Sequence, residues 1–223
     1  MISNENHLKE ILSALDKDNI LKDTILIGSW SLLFYDRIFL NFEPEVRTTD
    51  LDFYVPNAKA IVSNGGLTDT LKELNYEMIM DSLTSKTTFA SVDGFELEFL
   101  TKLNREGLAC VKLGNTGIYA ESLSYVEIFT GNYIEIEYDG MNVKVASPAS
   151  YILQKLLIND KRPLVKREKD IQSIKKVLFY VKASTKSFEE LNTLYESLPK
   201  TWKRKINKIT KEFEIDLLTP ITY

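Results

Sequence analysis

The chain has almost no histidine and almost no cysteine. Its 223 residues include a single His, His7, and a single Cys, Cys110. A lone thiol excludes an intramolecular disulfide, and together with a lone imidazole it leaves no Cys/His zinc set. His7 lies in the polar start of the chain and is expected on the surface of a first helix. A Ser-His-Asp or Cys-His arrangement therefore has nothing to build on. An uncharged apolar run of about 18 residues is also absent, as is a basic segment leading into an apolar core, so neither a membrane span nor an export signal is expected. The expectation is a soluble, cytoplasmic protein. Basic residues do not dominate either: 28 Lys and Arg stand against 32 Asp and Glu, a formal charge of -4, which gives no overall field for nucleic acid. Carboxylates, amines and a hard metal remain as the means for chemistry.

What is present is an ordinary globular composition, 44% hydrophobic and 27% charged, with enough chain for one large or two small domains. Leu8, Ile11, Leu12 and Leu15 recur at helical spacing over 6–17, which predicts a first helix packed by one stripe. "TILIGS" reads as a short buried strand closing on Gly28-Ser29, and "WSLLFYDRIFL" after it is helix-compatible. "LDFYVP" is a second strand stopped by Pro56. "LTDTLKELN" is a short helix with Thr68 as cap candidate. "YEMIMD", "KTTFASV" and "FELEFLT" are strands, the last two joined at Asp93-Gly94. A helix or strand is expected near 121–129. "YIEIEYDGMNVKVAS" is a hairpin turning on Asp139-Gly140. From Pro148 the texture becomes helical, in four segments separated by Pro163, a Ser/Thr/Lys stretch and Pro199. The lysines of the last segment are expected to form a solvated face.

Three stretches carry chemistry. In "RTTDLDFYV" the alternation of a strand puts Asp50 and Asp52 on one face and Leu51 and Phe53 on the other. Two such carboxylates repel and are costly to desolvate unless a cation or a proton relieves them. In "LIGS" a glycine and a small hydroxyl residue stand between strand and helix, where free N–H groups favour phosphate. "FELEFL" adds acids on a later strand, Glu96 and Glu98, which share a face. Phosphates at a helix start and carboxylates on neighbouring strands for Mg²⁺ would make a nucleoside-triphosphate site.

On Gly28-Ser29, Asp50-x-Asp52 and an acid from Glu96/Glu98, the chain resembles the nucleotidyltransferase superfamily with the DNA polymerase β-like fold. "SPASYILQKLLINDKRPLVKREKDIQSI" is similar to the segment after the catalytic domain in poorly characterised bacterial nucleotidyltransferases and in AbiEii-type toxins. The resemblance spans about residues 24 to 180. It implies an α+β fold, a mixed sheet flanked by helices in a catalytic domain 1–147, followed by a helical domain 148–223. The segment between Ser29 and Asp50 is longer than in minimal members, so "FLNFEPEV" is an insertion.

The resemblance further implies Mg²⁺ or Mn²⁺ on Asp50, Asp52 and Glu98, with Glu98 as third acid, assisting as ligand or base and preferred for its "LEFL" frame, and Glu96 as the alternative. It implies nucleotide contacts from Gly28, Ser29, Arg47, Lys86, Lys155 and Arg162, with Lys155 and Arg162 turned toward Gly28-Ser29, and Asp170 orienting Lys155 or Arg162. The expected partners are a nucleoside triphosphate and an acceptor hydroxyl on tRNA, a protein or a small molecule such as an aminoglycoside. A cognate antitoxin is an expected partner if the chain is half of a toxin-antitoxin pair that binds nucleotide without turnover. A third reading is a D-x-D glycosyltransferase.

Overall fold

The computed structural model describes residues 4–46, 48–103 and 107–220. The chain divides into two compact units, Met1–Phe34 with Glu43–Ala146, and Tyr35–Phe42 with Ser147–Tyr223.

The first unit is built on a nine-stranded mixed sheet. Its strands are β1 (Ile25–Ile27), β2 (Asp50–Tyr54), β3 (Tyr76–Met80), β4 (Thr87–Ser91), β5 (Glu96–Lys102), β6 (Cys110–Lys112), β7 (Tyr119–Leu123), β8 (Tyr133–Tyr138) and β9 (Met141–Ala146). The main order is β3-β4-β5-β2-β1-β9-β8, with β7 on β5 and β6 on β7. The Asp139-Gly140 turn has both residues at positive φ, 51° and 78°, as a two-residue hairpin of matching twist requires.

The sheet forks at β5. Its first half, Glu96 to Glu98, pairs antiparallel with β4, while Leu100 to Lys102 pair in parallel with β7. The split is bridged by the Tyr119 amide, which donates to Thr87 Oγ1 at 3.1 Å.

Helix α1 (Asn4–Lys17) buries Leu8, Ile11, Leu12 and Leu15 and packs on α2 (Leu67–Glu73) and β9. Leu51, Phe53, Leu97 and Phe99 complete that core from one face of the sheet. Burying such side chains is worth about 1.5 to 3 kcal/mol each. It also fixes which face the intervening acids occupy, because a one-residue slip would invert the strand.

Three expectations need correction. His7 is not on the surface: it is 3% exposed. Its Nδ1 lies 2.6 Å from the Tyr76 hydroxyl, its Nε2 lies 2.9 Å from Asp93 Oδ2, and its ring stacks on Phe95. Position 7 continues the buried stripe one turn before Ile11, and both ring nitrogens find partners, which makes the burial tolerable. Thr68 does not cap α2; Gly66 holds that position without a side-chain bond. The segment after β1 is a 3-10 helix, Gly28–Arg37, rather than an α-helix. Its aromatic residues and glycine are weak α-helix formers.

The second unit contains α3 (Pro148–Ile158), α4 (Leu164–Ala183), α5 (Thr185–Ser197) and α6 (Lys200–Glu212). Ser147 caps α3 by accepting from the Ser150 amide, with Pro148 in the first turn, where its missing N–H costs nothing. Ser184 caps α5 in the same way. Pro163 and Pro199 stand before α4 and α6. Tyr35–Phe42 belongs here through its aromatic rings. Tyr35 meets Tyr151 edge-on, Phe42 meets Tyr180, and the Tyr180 hydroxyl donates to the Asn41 carbonyl at 2.9 Å. Ile206 and Ile209 are the buried residues of α6, while Lys200, Lys208 and Lys211 are exposed.

Candidate active site

Strand β2 offers Asp50 and Asp52 on one face, both half-buried, while Leu51 and Phe53 are fully buried on the other. The antiparallel register of β1 and β2 pairs Ile27 with Asp52. The residue after Ile27 is therefore beside the second carboxylate. That residue, Gly28, has φ of 70°, and a β-carbon there would lie 3.0 Å from Asp52 Oδ2. Only glycine takes this φ without strain and leaves the carboxylate its space. Ser31 Oγ donates to the Gly28 carbonyl at 2.7 Å and closes the first turn. Ser29 is half-buried and Trp30 is core.

Strand β5 runs parallel to β2 with Asp50 beside Glu96 and Asp52 beside Glu98. All four acids thus share a face. The two glutamates differ in setting: Glu96 is exposed, whereas Glu98 is half-buried and engaged. Glu98 Oε1 accepts from Lys86 Nζ at 2.8 Å and from Thr88 Oγ1 at 3.2 Å. Lys86 Nζ also lies 2.9 Å from Glu121 Oε2 on β7. Lys86 therefore spans the fork in the sheet. Burial works against its charge, but bonds to two carboxylates outweigh that and raise its pKa above the ordinary lysine value. It stays an ammonium.

Lys86 was expected to face a triphosphate; here it lies between two acids. Glu121 was not anticipated, because the stretch before β7 carries glycines and no clean alternation.

Asp50 and Asp52 fit a hard divalent cation. They supply only oxygen donors, and Mg²⁺ commonly takes one or two carboxylates and fills its shell with water and substrate phosphates. Among the described residues no three acidic, His or Cys side chains converge as a metal cluster. The neighbour that would make a third, Glu98, has Lys86 on it.

The second unit holds the other group of expected residues. Lys155 and Asp170 are buried, 5% and 7% exposed. Lys155 Nζ bonds Asp170 Oδ1 at 2.9 Å. Arg162 Nε lies 3.1 Å from Asp170 Oδ2, an ion-pair distance without hydrogen-bond alignment. Asp170 thus meets both cations rather than one. Lys155 also sits 5.8 Å from the centre of the Tyr151 ring, and burial pushes the Tyr151 hydroxyl's pKa up. Arg47 lies outside the described residues.

A cavity of about 320 Å³ is lined by Ile25, Asn57, Thr130, Tyr133 and Lys144 among others. Ile25 pairs with Tyr54, so this cavity is at the far end of β1 and β2 from Asp52. None of the described helices is long and apolar enough to cross a membrane.

The model of a family described as nucleotidyltransferase matches residues 6–198. Among solved structures the chain is similar to ANT(2")-Ia in complex with adenylyl-2"-tobramycin, with 16% identity, coverage of 93% of this chain and 97% of that one, and a TM-score of 0.51. It is also similar to an antigenic nucleotidyltransferase-like protein from Paracoccidioides brasiliensis, 16% identical over 92% and 93% of the two chains with a TM-score of 0.45. The lincomycin-bound lincosamide antibiotic adenylyltransferase LnuA is 16% identical over 76% and 96%, with a TM-score of 0.42. The likeness to ANT(2")-Ia is one of fold. No curated protein matches the chain.

Proposed function

The chain belongs to the nucleotidyltransferase family, and on that premise we propose that it transfers a nucleoside monophosphate from a triphosphate to an acceptor hydroxyl. The acceptor hydroxyl gives up its proton, to Glu98 as base or to water, its oxygen attacks the α-phosphorus, a new O–P bond forms, the bond from the α-phosphorus to the bridging oxygen breaks, and pyrophosphate leaves. The observation that carries this reading is the set of acids on adjacent strands, Asp52 beside Glu98 and close against Gly28.

Asp50 and Asp52 would hold Mg²⁺ or Mn²⁺, which would supply charge neutralisation at the phosphates and a lowered pKa for the attacking hydroxyl. Gly28 and Ser29 receive the phosphates at the start of the 3-10 helix. Lys155 and Arg162 are proposed as further phosphate contacts, since a triphosphate carries about four negative charges and charge-assisted hydrogen bonds to phosphate are the strong ones. Arg47 keeps its proposed place among the nucleotide contacts.

The acceptor is a hydroxyl on tRNA, a protein or a small molecule such as an aminoglycoside. Incubation with each α-labelled nucleoside triphosphate, Mg²⁺ and these acceptors tests the proposal: label should move to one acceptor class with release of pyrophosphate. Nucleotide binding without transfer would favour the second reading, a non-catalytic nucleotide-binding partner of the toxin-antitoxin kind. The ion pair between Lys86 and Glu98 speaks for that reading, because it engages the third acid. Hydrolysis of a sugar nucleotide would favour a glycosyltransferase.

A further inference from the structure

Strand β3 ends the sheet on one side, and among the described residues its one partner strand is β4. The Asp81 amide donates to the Lys86 carbonyl at 2.9 Å and closes the β3–β4 hairpin. Backbone groups alternate in direction along a strand, so Ile79 and Glu77 turn theirs toward β4, while Met78 and Met80 turn theirs outward. An open edge of this kind is a template for another strand unless charge, proline or a bulge guards it. The other end of the sheet is guarded, because β8 carries exposed Glu135 and Glu137. The centre of β3 is not. Met78, Ile79 and Met80 are 45%, 54% and 47% exposed, and no charge stands among the three.

The residues along this edge suit a second copy of the same edge. Pairing two copies antiparallel puts a two-fold axis at the centre of the paired stretch, so that each copy meets the same surface of the other. A centre at Glu77 would set two glutamates directly opposite each other, which is destabilising. A centre at Met78 would need the outward backbone of Tyr76, which is buried at 1% exposure. A centre at Ile79 needs neither. Met78 then meets the partner's Met80, in two symmetry-related pairs that each exchange both backbone hydrogen bonds, and Ile79 stands beside the partner's Ile79. The exposed apolar centre is matched throughout, and the outward amides and carbonyls of Met78 and Met80 are all satisfied. The unfavourable contacts lie at the ends, where Glu77 stands opposite the partner's Asp81.

We propose that β3 is a homodimer edge: two copies of the chain pair antiparallel through Met78, Ile79 and Met80 about a two-fold axis at Ile79, joining their sheets into one. Such an axis is perpendicular to the sheet and keeps like face beside like face. Ile79 lies in one row with Thr88, Glu98 and Asp52, so the acid-bearing faces of both copies open on the same side of the joined sheet. A strand edge this short buries less than a standard interface of about 1,200 to 2,000 Å². The dimer is therefore reversible and forms as concentration rises.

The test is sedimentation velocity of the full chain from roughly 1 µM to 1 mM, the window of weak association. Wild type should pass reversibly from monomer to dimer and no further. Ile79→Lys sets two ammonium groups face to face at the axis and should stay monomeric throughout, with an unchanged melting temperature because the side chain is 54% exposed. Glu77→Lys turns the end contacts with the partner's Asp81 from repulsive to attractive and should tighten the dimer by roughly fivefold. Glu137→Lys on β8 makes the same change of net charge at the other edge and should leave the dimer as it is. Amide hydrogen exchange should protect Met78 and Met80 only where the dimer forms, and Glu77 and Ile79 at every concentration.

A wild type that stays monomeric would overturn the inference and leave the edge to a strand of a different protein. Growth beyond the dimer would overturn it too, since an axis at Ile79 closes the edge. So would an Ile79→Lys variant that dimerises as wild type does, equal effects of Glu77→Lys and Glu137→Lys, or Met78 and Met80 amides that exchange alike at all concentrations. Should Ile79→Lys fail to fold, Glu77→Lys and the exchange pattern decide. Transfer activity takes no part in these readouts, so the result is separate from that of the α-label assay.

Discussion

Each of the two units holds a cluster of alternating charges, and the two are built in opposite senses. In the sheet unit one lysine, Lys86, lies between two acids, Glu98 and Glu121. In the helical unit one acid, Asp170, lies between two cations, Lys155 and Arg162. The first has an acid in excess and adjoins two further aspartates on the same face. The second has a cation in excess and sits among buried side chains. A surplus of carboxylate suits a divalent metal, and a surplus of ammonium and guanidinium suits phosphate. Each cluster can be broken separately.

The largest effect is expected at Asp52. Asp52→Asn removes charge but not shape, so transfer should fall below detection in the α-label assay while the melting temperature stays near that of wild type. If the variant melts far below wild type, or transfers normally, the acidic half is structural.

Next is the centre of the other cluster. Asp170→Ala would leave a buried lysine and a partly buried arginine without their counter-charge, and breaking a buried pair in this way costs about 3 to 5 kcal/mol. Urea unfolding should show a loss of that size. A loss below about 1 kcal/mol, the range of exposed pairs, would mean that water reaches the cluster and that Asp170 does not hold it together.

The third acid should come below these. Glu98→Gln should slow transfer by roughly two orders of magnitude, the lower bound for losing a positioned acid or base. Glu96→Gln, on an exposed side chain, should be milder. The reverse order in single-turnover rates would give the role to Glu96.

Much of this was legible in the sequence because strands announce themselves by alternation. The local pattern of "DLDFY" and "ELEFL" is enough to put acids and core residues on opposite faces, and the glycine of "LIGS" marks a turn that needs positive φ. Long-range consequences were not legible. Nothing local says that Phe39 and Phe42 pack with Tyr180 in α4, so the insertion carries no sign that its first half, up to Phe42, joins the helical unit while Glu43 onward belongs to the sheet unit. Glu121 lies on a strand of five residues after a glycine-rich connection, and its meaning depends on pairing with β5. His7 misled because polar neighbours suggest exposure, whereas its two partners, Tyr76 and Asp93, are far along the chain.

The smallest and most discriminating effect concerns Lys155. If the cation-rich cluster serves phosphate, removing one of its two cations should weaken triphosphate binding by about 1.5 to 3 kcal/mol, the range for a hydrogen bond to a charged group. Nucleoside monophosphate, which lacks the β- and γ-phosphates, should bind almost as before. Asp170 would keep Arg162 as its partner in Lys155→Ala, so the fold should suffer less than from loss of the aspartate. Calorimetric titration of both nucleotides into Lys155→Ala and wild type separates the outcomes. Equal losses for mono- and triphosphate would assign Lys155 to the packing of α3 against α4 rather than to the substrate. No loss for either would leave the cluster as a purely structural ion pair, and the comparison between the two units would then hold only for its acidic half.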